Sequence, residues 1–385
     1  MNNGGPLQGI RVIELSTVVM GPWAAHVMAD LGADVIKIEA PDGDIMRRTP
    51  PERHAGMGAV FLTMNRGKRS VVLDLKTPHG RDALLALCRT ADVFLHNVRR
   101  EAMRRLALDY GAVVAANPRI VYVSLVGYAQ DGPYARRAAY DDLIQGACGL
   151  ASLFERAGGD APRYVPTLTV DRTVGISAVN AVLAALLYRE RTGEGQAVDV
   201  PMYETMVELM LSDHLGGANF VPKNAPMGYQ RILTPDRRPY RTSDGWVCVL
   251  LYNEAHWERF FAVAGAAERF AADERLSNRD VRRNHYDYAY GVIAELVAAR
   301  SSREWLALLE AHDVPVMPLH DLESLLEDPH LVATGFIRER DHPTEGRIRS
   351  TAIPTNWSRS KPAEPGVTPA LGEHTEEVLR ELGIG

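Results

Sequence analysis

The chain has 385 residues, 46% of them hydrophobic and 24% charged, with a formal net charge of -6. This length exceeds one comfortable core and points to two domains, the composition is that of a soluble globular protein, and the negative balance excludes a general nucleic-acid binder while leaving room for a local basic pocket. Three widely spaced cysteines, Cys88, Cys148 and Cys248, form no CxxC pair, which excludes a disulfide framework and a cysteine-rich metal site and fits a reducing cytoplasm.

Arg11 to Leu15 is a short apolar run with the character of a buried strand. Arg11 and Glu14 interrupt this first hydrophobic stretch, so no signal peptide is expected. Pro22 to Leu31 carries helical periodicity ended by Gly32, and Asp34 to Glu39 is a second strand. The loop of this βαβ unit, Ser16 to Pro22, lacks the GxGxxG pattern that lets a backbone approach a dinucleotide pyrophosphate, which disfavours a nicotinamide cofactor. Further strands are expected at Ser70 to Leu75, Val93 to His96, Ile120 to Leu125 and Ala197 to Val200. Helices are expected at Gly80 to Arg89, Glu101 to Ala116 and Tyr203 to Leu211. Such alternation implies a mainly parallel sheet covered by helices on both faces. After His214 the Gly- and Pro-rich stretch from Gly216 to Gly228 marks a boundary. Beyond it come a hairpin at Ser243-Asp244-Gly245, helices near His256 to Ala264, Tyr286 to Arg300 and Arg303 to His312, and a strand from Val314 to Leu319. A short helix at Leu322 to Leu326, a second hairpin at Thr344-Glu345-Gly346 and an amphipathic tail helix follow.

The chain is organised around the stretch from Arg163 to Glu204. The segment from Thr173 to Tyr188 is too apolar for a surface helix and reads as a buried one. Gly175, Ser177 and Asn180 break it too often for a membrane span of about 20 residues, and Gly193 stops it. Asp171 falls where the free N–H groups of that helix begin, so it reads as an N-cap carboxylate. The same position favours an ionised aspartate and suits a nucleophile; the two readings are compatible. Asn65 to Ser70 and the arginines Arg99, Arg100, Arg104 and Arg105 offer cations for phosphate or carboxylate, or else are solvated surface. Cys148 reads as a packing residue rather than a nucleophile, and twelve scattered histidines show no metal spacing, so no metal is expected. No GxSxG elbow or Walker loop is present. The chemical lead is a carboxylate nucleophile among arginines.

An ordered set of motifs runs the whole length: Leu7 to Leu15, Gly21-Pro22, Leu31 to Glu39, Gly43-Asp44, Asn65 to Ser70, Ala91-Asp92-Val93, Asn117-Pro118-Arg119, Gly132-Pro133, Thr192 to Gln196 and Leu371 to Thr375. In these the chain resembles the class III CoA-transferase (CaiB/BaiF) family, which includes formyl-CoA and carnitine CoA-transferases. The resemblance implies an α/β fold with a large Rossmann-like parallel-sheet domain built from both chain ends, a smaller inserted α+β domain, and an interlocked cytoplasmic homodimer. The corresponding boundaries are 1–215, 216–325 and 326–385. It also implies coenzyme A or acyl-CoA as substrate with no permanently bound cofactor, a small carboxylic acid as the other substrate, and neither nucleic acid nor membrane as partner. The family's catalytic aspartate falls on Asp171, at the end of a strand-like segment, and its CoA contacts fall on Val18, Leu73, Lys76, Asn97, Arg105, Arg137 and Tyr140. A basic CoA contact of some members is Ala40 here, and the glycine-rich loop of the oxalate-using members has no clear counterpart between Ala218 and Arg238.

The implied chemistry passes CoA through an aspartyl-CoA thioester on Asp171. An α-methylacyl-CoA racemase would share the fold but needs a His where Tyr140 precedes Asp141, and a non-catalytic CoA-binding paralogue would lack the nucleophile. Arg47, Arg48, Arg53 and Arg172 are expected around the pocket, where guanidinium groups suit a second carboxylate. They point to a succinyl-CoA donor and a small dicarboxylate or hydroxy-acid acceptor.

Overall fold

The computed structural model describes residues 4–384. Arg11–Leu15 (β1), Met20–Asp30 (α1) and Asp34–Glu39 (β2) form the opening βαβ unit. Ala59–Met64 (α2) and Arg69–Val72 (β3) follow. Pro78–Thr90 (α3) begins with proline at its first position and with Thr77, whose hydroxyl accepts the Gly80 N–H at 3.1 Å. After Val93–His96 (β4), the single helix expected from Glu101 to Ala116 is two, Arg100–Arg105 (α4) and Tyr110–Ala116 (α5). The break is local: Ala107 takes a φ of 54°, and Asp109 caps the second helix through the Ala112 N–H. Val121–Val126 (β5) leads to Asp141–Ala147 (α6), Ser152–Arg156 (α7), Thr169–Thr192 (α8), Gln196–Pro201 (β6) and Met202–His214 (α9).

The six strands make one parallel sheet in the order β3-β2-β1-β4-β5-β6. The order reverses between β1 and β4, and in open α/β sheets of this order ligands bind at that switch point, outside the carboxyl ends of the strands. The central strands β4 and β5 are buried throughout because both faces are covered, whereas β1, β2 and β3 also carry the charged residues Glu14, Lys37, Glu39 and Arg69 and the edge strand β6 is partly exposed.

The chain then continues through Tyr240–Arg241 (β7), Trp246–Val249 (β8), Glu254–Val263 (α10), Ala267–Ala272 (α11), Glu274–Ser277 (α12), Arg279–Arg282 (α13), Tyr286–Val297 (α14), Ser302–Ala311 (α15) and Val316–Pro318 (β9). The short helices α2, α6, α7 and α11 to α13 escape the sequence reading because none is long enough to show a period. Pro329–Ala333 (α16), the hairpin Ile337–His342 (β10) with Gly346–Thr351 (β11), and Thr375–Glu381 (α17) complete the order. The chain divides into two compact units. One gathers the chain up to Cys148, Val165–Leu209 and the chain from Ala333 onward; the other gathers Gly149–Tyr164 and Met210–Val332. The second unit has its own core of Trp257, Phe260, Tyr290, Ile293 and Trp305 beside the antiparallel sheet β7-β8-β9.

In the first unit, one face of the sheet packs Ile13, Ile36, Phe94 and Tyr122 against Leu84 and Leu87 of α3, Met103 of α4, Val113 of α5 and Val378 of α17. On α8, Val174, Ala178, Val182 and Ala185 are buried, and the helix packs on α1. That contact is close because Gly175 has no side chain: a Cβ there would lie 2.9 Å from the Met20 carbonyl oxygen and 3.0 Å from Trp23 Cδ1. Two expectations about this helix are corrected. It begins at Thr169 rather than after Asp171, and no strand precedes it. Nor is it buried all round, because Ile176, Leu183, Leu187 and Tyr188 are exposed along one side. By length and composition it is apolar enough to cross a membrane, but half of that stretch is buried inside the protein.

Candidate active site

The loops leaving β1, β4 and β5 and the first turn of α8 enclose a cavity of about 660 Å³ at the switch point. The loop after β1 is held from two sides. Asn97, just beyond β4, donates its amide to the Thr17 carbonyl at 2.9 Å and accepts the Thr17 N–H at 3.2 Å. Asp44 Oδ1 accepts the Val18 N–H at 3.2 Å. Val18 has a φ of 72°, costly for a β-branched residue, so this turn exists because its surroundings enforce it. Asp44 is anchored in turn by Lys37 at 3.0 Å, and Glu14 takes Lys37 at 3.1 Å and Lys68 at 2.7 Å; the side chains of all four are fully buried.

That network overturns the reading of Asn65 to Ser70 as a phosphate-binding or solvated basic turn. Lys68 Nζ donates to Glu14, to the Pro22 carbonyl and to Asn65, while Arg66 grips Asp30 and Arg69 pairs with Asp34 and Glu381. Arg66 and Lys68 tie this turn to α1 and to β1, and Arg69 ties β3 to β2 and to α17. Arg47, expected at the pocket, is likewise buried against both carboxylate oxygens of Glu39, at 2.7 and 2.8 Å. Arg53 is bonded to the Glu345 carbonyl and Arg48 to that of Asp42; Arg172 lies over the Trp23 ring at 4.5 Å. None of these four lines the cavity.

The cavity wall is nevertheless basic, with Arg99, Arg100, Arg105, Arg136 and Arg137 on it. Arg137 stacks over Tyr134 at 3.9 Å, and Arg100 is paired with Asp199 of β6. Of the residues expected to contact CoA, Val18, Asn97, Arg105, Arg137 and Tyr140 share this cavity with Asp171. Leu73 and Lys76 do not line it. Leu73 is packed in the core beside Ile38 and Val71, and Lys76 is exposed in the turn before α3, its N–H on Asp74.

Asp171 occupies the third position of α8, not the cap. Its side chain reaches the cavity and is 8% exposed, and among the described residues its carboxylate accepts no hydrogen bond and forms no ion pair. Capping is done from another helix: Asp141, the first residue of α6, accepts the Asp171 backbone N–H on Oδ2 at 2.9 Å. Gln145, one turn along α6 and fully buried, donates to Asp141 Oδ1 at 2.6 Å and accepts the Val165 N–H at 2.8 Å. The helix start therefore does not keep Asp171 strongly acidic, as its position in the sequence suggested. Burial and the neighbouring Asp141 carboxylate, opposed by Arg172, raise its pKa from 3.8 to about 7. Asp141 and Gln145 were missed as a pair; their i,i+4 spacing was readable only once α6 was known to be a helix. Among the described residues no group of three or more His, Cys, Asp or Glu side chains could hold a metal ion.

A parallel α/β sheet with an arginine-lined cavity at its switch point, and a weakly acidic aspartate on the cavity wall, defines an α/β protein with a site suited to an anionic ligand. The chain belongs to CoA-transferase family III, which it matches over residues 7–375, and it is a family III CoA-transferase. It is 33% identical to a succinate–glutarate CoA-transferase of Agrobacterium fabrum, covering 99% of this chain and 96% of the relative. It is 31% identical to a succinyl-CoA:mesaconate CoA-transferase of Haloarcula hispanica, over 99% and 97% of the two chains. The crystal structure of a CaiB/BaiF family protein from Brucella suis matches with a TM-score of 0.83 and 29% identity, covering 98% of this chain and 100% of the other.

Proposed function

We propose that the protein transfers CoA from succinyl-CoA to a small dicarboxylic acid through covalent intermediates on Asp171. The observation that carries this reading is the Asp171 carboxylate itself, facing the cavity with no hydrogen-bond or ion-pair partner among the described residues, its pKa raised to about 7. An Asp171 carboxylate oxygen attacks the thioester carbon of the donor; the carbon–sulfur bond breaks and CoA leaves as thiolate, giving a mixed anhydride. The thiolate then attacks the aspartyl carbonyl of that anhydride and succinate departs, leaving an aspartyl-CoA thioester. The acceptor carboxylate attacks this thioester, releasing the thiolate and forming a new anhydride. Attack of the thiolate on the acceptor's carbonyl completes the transfer and returns Asp171 as a carboxylate. Activation is conserved at each step, which direct hydrolysis would lose.

The arginine wall suits the phosphates of CoA, and the Asn97 clamp on the Val18 loop provides a rigid backbone surface beside it. Leu73 and Lys76, at the carboxyl end of β3, lie outside the cavity; in this reading they serve a more distant part of the long CoA molecule. The dicarboxylate preference rests on relatives named for succinate, glutarate and mesaconate. In the same reading the Rossmann-like unit works in a cytoplasmic homodimer, whose contact the exposed apolar side of α8 supplies.

Incubation with succinyl-CoA and hydroxylamine, followed by peptide mass spectrometry, tests the covalent route. A hydroxamate on Asp171 is expected. An unmodified Asp171 during active transfer overturns the reading, and activity confined to long branched or carnitine-type acyl groups overturns the dicarboxylate assignment.

A further inference from the structure

We infer that Asp141 and Gln145 form a positioning relay for the transfer reaction: Asp141 holds the main chain of Asp171 and sets a second carboxylate beside it that favours its acylated forms, while Gln145 fixes Asp141. This inference rests on the reading of Asp171 as the nucleophile.

The geometry leaves Asp141 little freedom. One oxygen takes the Asp171 N–H at 2.9 Å, the other takes Gln145 Nε2 at 2.6 Å, and the residue is 5% exposed. Gln145 in turn closes on Val165, accepting its N–H at 2.8 Å and donating to its carbonyl at 3.4 Å. The relay thus pins both the first turn of α8 and the loop entering it, so the Asp171 side chain projects from a backbone that cannot swing. Placing a fixed carboxylate next to a nucleophilic one has a further consequence. An anhydride or a thioester on Asp171 is neutral, so acylation removes the repulsion between the two groups, whereas the ionised resting state bears it. Raised basicity also makes Asp171 a stronger nucleophile once it is ionised.

The charges facing Asp171 are few. Asp141 comes from α6 and Arg172 from its own helix, and these are the groups that shift it. On α1, His26 is buried beside Asp30 at 3.4 Å, and burial holds its imidazole well below its ordinary pKa. Asp199 of β6 is occupied by Arg100, Glu101 of α4 lines the same cavity beside Arg136 at 3.7 Å, and the other cations on the cavity wall are Arg99, Arg105 and Arg137. An Asn at 141 can still accept the Asp171 N–H on its one oxygen, but its NH2 then faces Gln145 Nε2, so Asp141→Asn removes the charge together with the Gln145 contact, and Gln145→Met removes that contact alone.

The discriminating experiment is the pH profile of kcat/KM, together with the fraction of enzyme trapped on Asp171 by hydroxylamine, in wild type, Asp141→Asn and Gln145→Met. For Asp141→Asn the acid limb should move down by about one pH unit or more, and the trapped fraction at pH 8 should fall roughly tenfold. For Gln145→Met the limb should stay in place while kcat falls about tenfold, because the charge remains but its hold is loosened. An Asp141→Asn enzyme with an unmoved limb and undiminished trapping overturns the inference, as does a Gln145→Met enzyme with wild-type kcat; the latter applies even if Asp141→Asn does not fold. Absence of any Asp171 adduct in wild type would fell the nucleophile reading itself. Adducts in all three enzymes with identical profiles would remove only the relay.

Discussion

Asp171 illustrates how one residue's environment sets function against stability. Its folded-state pKa is raised from 3.8 to about 7, so the folded protein favours the protonated acid and loses stability as pH rises between those values. Removing the charge should recover that loss. Asp171→Asn is expected to abolish transfer yet stabilise the fold at pH 8 by up to about 4 kcal/mol, with little gain near pH 4 where wild type is already protonated. Urea unfolding at the two pH values checks this; an equal or negative change at pH 8 would show that burial does not disfavour the carboxylate. In the proposed mechanism the ionised form attacks, so kcat/KM of the wild type should rise with pH through about 7 on its acid side. Its place at a helix start suggests a strongly acidic aspartate, whereas the groups that shift it include Asp141, 30 residues away in the chain.

At the scale of elements, the site depends on how closely α1 and α8 approach. Both contribute their first turns to the cavity wall, and Gly175 is where they touch. Gly175→Ala should push the helices apart, costing roughly 1–3 kcal/mol and lowering kcat as well; a variant unchanged in both thermal midpoint and turnover would refute the close contact. The ionic strut beneath the site makes a second prediction. Glu14 sits between Lys37 and Lys68 with no solvent access, and burial already pulls the Lys68 ammonium down to about 8. Glu14→Gln leaves two buried ammonium groups with one fewer counter-charge and should destabilise by about 3–5 kcal/mol, read as a lowered denaturation midpoint. The Val18 loop should loosen with it, because Asp44 is held there through Lys37.

For the molecule as a whole, the exposed apolar side of α8 is the clearest unfinished surface. In the homodimeric reading, Leu183→Glu combined with Leu187→Glu should yield a monomer in sedimentation while far-ultraviolet circular dichroism stays unchanged. A dimer that survives both charges would move the contact elsewhere.

Much of the fold was legible from local chemistry. The bounds of β1, β2 and β4 follow from short apolar runs flanked by Gly and Asp, the α8 stop follows from Gly193 at a φ of 83°, and both hairpins follow from their turn residues. The ordered motifs fixed the family and drew attention to Asp171. What only the tertiary structure decided were the partnerships. Arg47, Arg66, Lys68 and Arg69 look like ligand-binding cations in the chain, yet Glu39, Asp30, Glu14 and Asp34 pair with them, three of these from 35 to 54 residues away in the chain. Asp171 looks like its own helix cap, yet Asp141 takes that role and leaves the Asp171 side chain free to face the cavity. The sequence determines which groups are present and their local conformation; which charge meets which is set by the strand order that brings residues far apart in the chain within a few ångströms.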